Sequence, residues 1–246
     1  MTDNARDLAV AIQLANAAGE IVRRHFRRLE HVKRKGPGDV VTEVDYLAEA
    51  LILDGIRAAF PTDRIVAEES GNHPSQPGPG GAPPTERTWF VDPLDGTVNY
   101  AHGIPFFSVS IGLVVDGRPA VGVVLDPIAN ELFSAVADAS AELNGEEIRA
   151  STAVQAADLL ISSDAAPRGR LLGSAALELC YVASGRLDAF IQAGHLSNWD
   201  VAAGGLIAER AGASLAVLPD GPWFELDRAP GFGLLVASPA YQQRGL

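Results

Sequence analysis

The chain has 246 residues, 47 % of them apolar and 20 % charged, a composition that builds a packed core and excludes a disordered chain. Its length suits one large domain or two small ones. Thirty-one acids against 19 bases leave a formal charge of −12, which repels phosphate backbones, so direct nucleic-acid binding is not expected. An acidic protein that acts on an anion needs either a local basic patch or metal ions. The single cysteine, Cys180, sits among packing residues and excludes an internal disulfide and a Cys-rich zinc site. No segment has 18 uninterrupted apolar residues, and the first residues carry acids with no apolar stretch behind them. The expectation is a soluble, cytoplasmic protein with no membrane segment.

In chain order, Leu8, Ile12, Ala15, Gly19, Val22 and Phe26 recur at steps of four and three and predict a helix with one buried stripe. Arg23, Arg24, Arg27 and Arg28 suit its C-terminus. Lys35 to Asp39 reads as a turn. Val40 and Val41 follow, and then Thr42 caps a second helix over Glu43–Phe60, stopped by Pro61. Ile65–Ala67 is a short strand ending in Glu68 and Glu69. Gly71 to Glu86 holds five prolines and four glycines and reads as a loop, either plain or a lid. Strands follow at Thr88–Val91, at Phe107–Val115 and Ala120–Leu125 as a hairpin, and at Glu131–Val136, with a turn at Asn144-Gly145.

The later part changes rhythm. Asp158–Ser162 and Leu187–Ile191 read as strands, Ser174–Ala183 and Trp199–Ala211 as helices, and Ser214–Leu218 and Leu234–Ala237 as strands. The pattern is α/β, with residues 1–150 forming an α+β subdomain and 151–246 an α/β subdomain.

The chemistry concentrates in Trp89 to Tyr100. An apolar strand delivers Asp92, Pro93 turns the chain, Asp95 follows, and Gly96 lets the backbone approach a ligand. Thr97 then begins a helical turn whose N–H groups suit an anion. Two carboxylates on one tight turn repel, and Mg²⁺ between them removes that cost. An ordinary Asp-Gly turn is the plain alternative. Glu68 and Glu69 follow another strand, one as a ligand and one as a solvated rim residue. Asp200 is either a helix cap or a further ligand. Asp45 and Glu49, four apart and both negative, read by default as a solvated helix face. If these acids converge, the chemistry is phosphoryl transfer to water. No phosphate loop with Lys-Ser/Thr is present, and the only lysines, Lys33 and Lys35, lie elsewhere in the sequence, so a kinase is not expected.

The block Trp89-Phe90-Val91-Asp92-Pro93-Leu94-Asp95-Gly96-Thr97, together with Gly38 to Asp45, Ala67-Glu68-Glu69-Ser70, Gly173 to Cys180, and Asn198 to Gly204, resembles the inositol monophosphatase family of Mg²⁺-dependent, Li⁺-sensitive phosphatases. The likeness runs over nearly the whole chain. It implies the layered α-β-α-β-α sandwich of the sugar phosphatases and two or three Mg²⁺ per subunit. By that resemblance Glu68, Asp92 and the Leu94 carbonyl hold one metal, and Asp92, Asp95 and Asp200 a second. A third, weaker metal would lie near Glu68. Asp45 and Thr97 would activate the attacking water, and the N–H groups of Gly96 and Thr97 would bind phosphate. Asp200 and Gln192 would meet the rest of the substrate, Gln192 standing where inositol-selective members carry Glu. A homodimer is also implied.

Two departures bear on substrate. Asn198-Trp199-Asp200 lies about one residue farther along than the family pattern. Only nine residues separate Ser163 from Gly173, where the family places a helix. That shortening opens the pocket or changes the dimer contact, and Arg168 and Arg170 there are either solvated or receive a second phosphate. The expected activity is hydrolysis of a small polyol phosphate monoester, inositol 1-phosphate first, by metal-activated water. Fructose 1,6-bisphosphate, histidinol phosphate and the nucleotide 3′-phosphoadenosine 5′-phosphate are alternatives, and a regulatory protein-binding role is the alternative of another class.

Overall fold

The computed structural model describes residues 4–29, 31–36, 39–78, 86–152, 159–164 and 170–243. Helix α1 (Asn4–His25) buries Ala11, Leu14, Ala15, Ala18, Gly19 and Val22. Leu8, Ile12 and Phe26, expected in that stripe, are only half-buried at its margin. Where the sequence suggested a plain turn, β1 (Val32–Gly36) and β2 (Asp39–Thr42) pair antiparallel, and Pro37 and Gly38 lie outside the described residues. Helix α2 (Glu43–Ala59) starts from a capping box in which Thr42 and Asp45 exchange hydrogen bonds.

An eight-stranded sheet lies against α1 and α2. Its strands are β3 (Arg64–Ala67), β4 (Gly71–His73), β5 (Arg87–Asp95), β6 (Ser108–Val115), β7 (Arg118–Asp126), β8 (Glu131–Val136), β9 (Glu142–Leu143) and β10 (Glu146–Glu147). The spatial order is β10-β9-β8-β7-β6-β5-β3-β4, antiparallel except for β3 beside β5. Strand β4 corrects part of the loop reading of 71–86: Gly71, at φ +76°, turns the chain back onto β3. Residues 79–85 of that stretch, and with them most of the lid reading, lie outside the described residues. Strand β5 is covered on both faces, which explains its unbroken apolar run. Trp89 and Val91 enter the core with α1 and α2, and Phe90 enters the core on the other side. Helix α3 (Thr97–Ala101) links β5 to β6.

Beyond the sheet lie β11 (Ile161–Ser163), α4 (Ala175–Ala183), β12 (Ala189–Leu196), α5 (Asn198–Arg210), β13 (Ser214–Leu218), β14 (Phe232–Ala237) and α6 (Pro239–Gln242). The strands form a second sheet in the order β11-β12-β14-β13. Strand β11 starts later than expected from Asp158–Ser162, with Asp158 outside the described residues. Strand β12 starts at Ala189 and continues to Leu196, past the expected Ile191, because β14 pairs along it. Helices α4 and α5 fill the space between the sheets, where Leu177, Cys180, Val201 and Ile207 share a core with Phe90, Phe133, Phe190 and Val236. Tyr241 of α6 packs on Ala189 and Ala237 at the outer face of the small sheet. The layers therefore run α-β-α-β-α, with the last, among the described residues, reduced to one short helix.

The approach of α5 to the large sheet depends on two paired glycines. Gly112 and Gly122 face each other across β6 and β7. A Cβ at Gly122 would lie 2.7 Å from the Ala203 carbonyl oxygen, and one at Gly112 would lie 2.9 Å from the Ala202 Cβ. The N-terminus of α5 is thereby carried to the C-terminal end of β5.

Candidate active site

Period-two alternation puts Asp92 on the same face of β5 as Phe90, toward α5. Its Oδ1 accepts the Leu94 N–H at 3.0 Å, which fixes the turn. Pairing with β6 slips between Asp92 and Asp95, so Asp95 is re-aimed. Asp95 Oδ2 accepts the Ser174 hydroxyl at 2.6 Å and the Ala176 N–H at 2.7 Å, and so occupies the free N–H groups at the start of α4. Gly96 then turns at φ +96°, where a Cβ would stand 2.9 Å from the Gly173 carbonyl oxygen.

Asp45 and Asp200 are both the third residue of a helix, and both complete a capping box. Asp200 Oδ2 accepts the Ser197 N–H at 2.6 Å. Asp45 Oδ2 accepts the Thr42 N–H at 2.9 Å and its hydroxyl at 2.5 Å. The cap and site readings of these acids are compatible, because each carboxyl turns one oxygen back to its helix. Asp45 Oδ1 receives the Thr97 hydroxyl at 3.0 Å, and Leu94 O lies 2.9 Å from that same hydroxyl. The solvated helix face expected for Asp45 and Glu49 is not found. Both are buried, and Glu49 accepts the Glu69 N–H at 2.8 Å.

Asp92, Asp95 and Asp200 offer oxygens that all lie within 4.8 Å of one another. They line a cavity of about 200 Å³ with Glu68, Leu94, Gly96, Thr97, Gly173, Val40 and Val98. Burial, then repulsion from Glu68, Asp95 and Asp200, holds the Asp92 carboxyl far above its ordinary value. Asp200 is pushed the same way by burial and by Asp95. Burial lifts Asp95 to about 6 despite its bonds from Ser174 and Ala176, and lifts Asp45 to about 6 despite those from Thr42 and Thr97. Clustered acids that resist ionisation are a fit for a divalent cation, which supplies the missing charge to oxygen donors.

Lys35, set apart in the sequence reading, reaches this site. Its Nζ lies 3.2 Å from Glu68 and 2.5 Å from Glu69. Glu69 is not a solvated rim residue, since its side chain is 1 % exposed and ion-paired. Gln192 is not among the cavity's lining residues, and its amide donates to the Gly194 carbonyl at 2.8 Å. Before Asp200, β12 slips its register against β14 between Gln192 and Leu196, with His195 exposed at φ +71°. Arg168 lies outside the described residues, and Arg170 is exposed.

The sequence reading missed the clamp on the cavity wall. Buried Glu178 accepts the N–H groups of Leu172 at 3.1 Å and Gly173 at 3.0 Å, and also the Ser162 hydroxyl. Asn99 Nδ2 donates to the carbonyls of Leu172 at 2.7 Å and Phe106 at 2.8 Å. Only the match of Gly173 to Cys180 to a family block pointed there. A Ser-His pair also exists, with Ser70 Oγ 2.7 Å from His73 Nε2 and Arg57 2.8 Å from His73 Nδ1. A guanidinium only donates, so Nδ1 accepts and Nε2 carries the proton. That imidazole cannot take the Ser70 proton, and the pair is not an activated nucleophile.

The sequence model of the inositol monophosphatase family matches residues 3–167 and 154–243. The chain belongs to the inositol monophosphatase family. It is 41 % identical over 244 residues to Inositol monophosphatase 2 of Solanum lycopersicum, covering 88 % of this chain and 89 % of that one. It is 37 % identical over 228 residues to the Nus factor SuhB of Salmonella typhimurium, covering 83 % and 82 %. The crystal structure of the extragenic suppressor protein suhB from Bartonella henselae superposes with a TM-score of 0.83 at 31 % identity, covering 97 % and 96 %. This family member is a phosphoric monoester hydrolase of the Mg²⁺-dependent group that acts on small phosphate esters. Among the described residues, no helix is long and apolar enough to cross a membrane.

Proposed function

We propose that this family member hydrolyses a small polyol phosphate monoester, with inositol 1-phosphate the first candidate. The convergence of Asp92, Asp95 and Asp200 within 4.8 Å carries the reading. In it, Glu68, Asp92 and the Leu94 carbonyl hold one Mg²⁺, Asp92, Asp95 and Asp200 hold a second, and a third sits more weakly near Glu68. Bound Mg²⁺ supplies Lewis-acid polarisation of the phosphoryl group and a lower pKa for water. The N–H groups of Gly96 and Thr97 bind the phosphate oxygens. Asp45 and the Thr97 hydroxyl it holds orient the attacking water, and the Asp45 carboxylate takes its proton. Asp200 meets the substrate's hydroxyls at the cavity, with Gln192 left to the part of the substrate that extends beyond the cavity lining, so the 151–246 subdomain adds selection to the acids supplied by 1–150. The enzyme works as a cytoplasmic homodimer.

The test is phosphate release in Mg²⁺, with and without EDTA, from inositol 1-phosphate, fructose 1,6-bisphosphate, histidinol phosphate and 3′-phosphoadenosine 5′-phosphate, ranked by kcat/KM. Inositol 1-phosphate leading, with release abolished by EDTA, is the expected result. Another ester leading would reassign the substrate within the same chemistry. No release by folded, Mg²⁺-supplied protein would sink the reading.

The 37 % likeness to a protein named a Nus factor favours one further reading, a regulatory role through a protein partner. Capture of one partner from lysate, unchanged by Asp92→Asn, would support it.

A further inference from the structure

Positive charge is unevenly placed on this chain. Seven of its 19 lysines and arginines fall within residues 23–35, although the net charge is −12. A helix C-terminus accounts for the first of them, but the run continues through β1. Arg24, Arg28, Lys33 and Arg34 are exposed, and among the described residues none of their side chains has a hydrogen bond or ion pair. Three guanidiniums, from Arg23, Arg24 and Arg28, border a cleft of about 310 Å³ beside Phe26 and Glu20.

The far end of this run, Arg34, stands beside the catalytic cavity. Arg34 stands directly opposite Val40 in the β1–β2 register, and Val40 lines the cavity. Residues directly opposed in an antiparallel pair share a face, so Arg34 stands on the cavity side of the hairpin. The register slips between Arg34 and Gly36, and the extra residue, Lys35, is re-aimed onto Glu68 and Glu69. The protein as a whole carries a net charge of −12, so an approach bordered by cations is the favoured one for an incoming phosphate ester.

We propose that residues 23–34 form an anion-collecting surface that captures the phosphate-ester dianion and delivers it past Arg34 into the cavity. This rests on the phosphatase reading above. Charge is the operative property, so the surface acts on association and weakens as salt screens it.

The test compares two double variants with the same change in net charge. Arg28→Gln with Arg34→Gln removes two charges of this surface and makes the rim pair, and Arg118→Gln with Arg149→Gln removes two exposed arginines elsewhere. kcat/KM is measured over a range of ionic strength. The rim pair should lose about tenfold at low salt and show a flattened salt dependence, while the distant pair stays within about twofold and keeps the wild-type slope. An equal loss in both pairs, or none in the rim pair, overturns the proposal. Should wild-type protein hydrolyse no ester, calorimetry with inorganic phosphate in Mg²⁺ at low salt decides instead. Phosphate binding weakened only in the rim pair supports the surface. Equal binding in both pairs, or no binding by wild type, overturns it.

Discussion

Strand β5 has buried acids at both ends, and the two ends are built differently. At its start, Arg87 forks onto Asp7 with bonds of 2.9 and 3.1 Å and reaches Asp63 at 2.9 Å. The Trp89 indole adds a fourth bond, 2.9 Å to Asp63. At its far end, Asp92, Asp95 and Asp200 converge, and among the described residues no lysine or arginine pairs with them, Lys35 being engaged by Glu68 and Glu69. One end is balanced from within the chain, and the other is balanced only when a cation arrives. Burial of acids is common to both ends. The missing counter-charge is what separates a binding site from a structural ion-pair cluster.

Substitutions at the two ends should therefore have opposite consequences. Asp92→Asn should lower kcat by at least about 10³-fold, roughly 4 kcal/mol of barrier, while the metal-free protein melts no lower than wild type because one repelling charge is gone. Phosphate release and thermal denaturation of the same preparation check both parts. Arg87→Gln should do the reverse. Leaving Asp7 and Asp63 buried without their cation costs about 3–5 kcal/mol, a fall in Tm of roughly 10 °C, with turnover per folded molecule preserved at low temperature.

The smallest effect, and the sharpest on the comparison, is in pH. Asp45 and Asp95, at about 6, stand above the ordinary carboxyl range near 4. The folded state thus keeps protons that the unfolded chain releases, and stability from these groups falls as pH rises from about 4 to about 6. Metal-free protein should melt progressively lower across that window. Added Mg²⁺ should raise Tm by about 4 °C or more at pH near 7.5, and by less at pH near 4.5. A Tm indifferent to Mg²⁺ at both pH values would contradict the unbalanced-end account.

Much of this was legible from residue order. The apolar run into Asp92, the Gly96 turn, the Thr42 cap and the Pro61 stop are local signals with local causes, and each appears where expected. What escaped depends on distant partners. The charged segment Val32–Gly36 forms a strand only because Asp39–Thr42 lies beside it, and Gly71–His73 only because β3 offers an edge. Glu49 and Glu69 read as solvated until the fold buries them against each other and Lys35. Ser174 and Glu178 carry no signal in sequence beyond a family match, since their acceptors and donors lie at Asp95 and on the Leu172–Gly173 turn.

The paired glycines beneath α5 extend this point to residues with no functional group. The distance between Asp200 and the carboxyls of β5 is gauged by the absence of a methyl group at Gly112 and Gly122, where Ala202 and Ala203 already touch. A single carbon inserted there would act as a wedge. It would lift one ligand-bearing layer from the other while leaving every acid chemically intact. The inheritance of a metal site in such a fold therefore includes the thickness of its layers as well as the identity of its ligands.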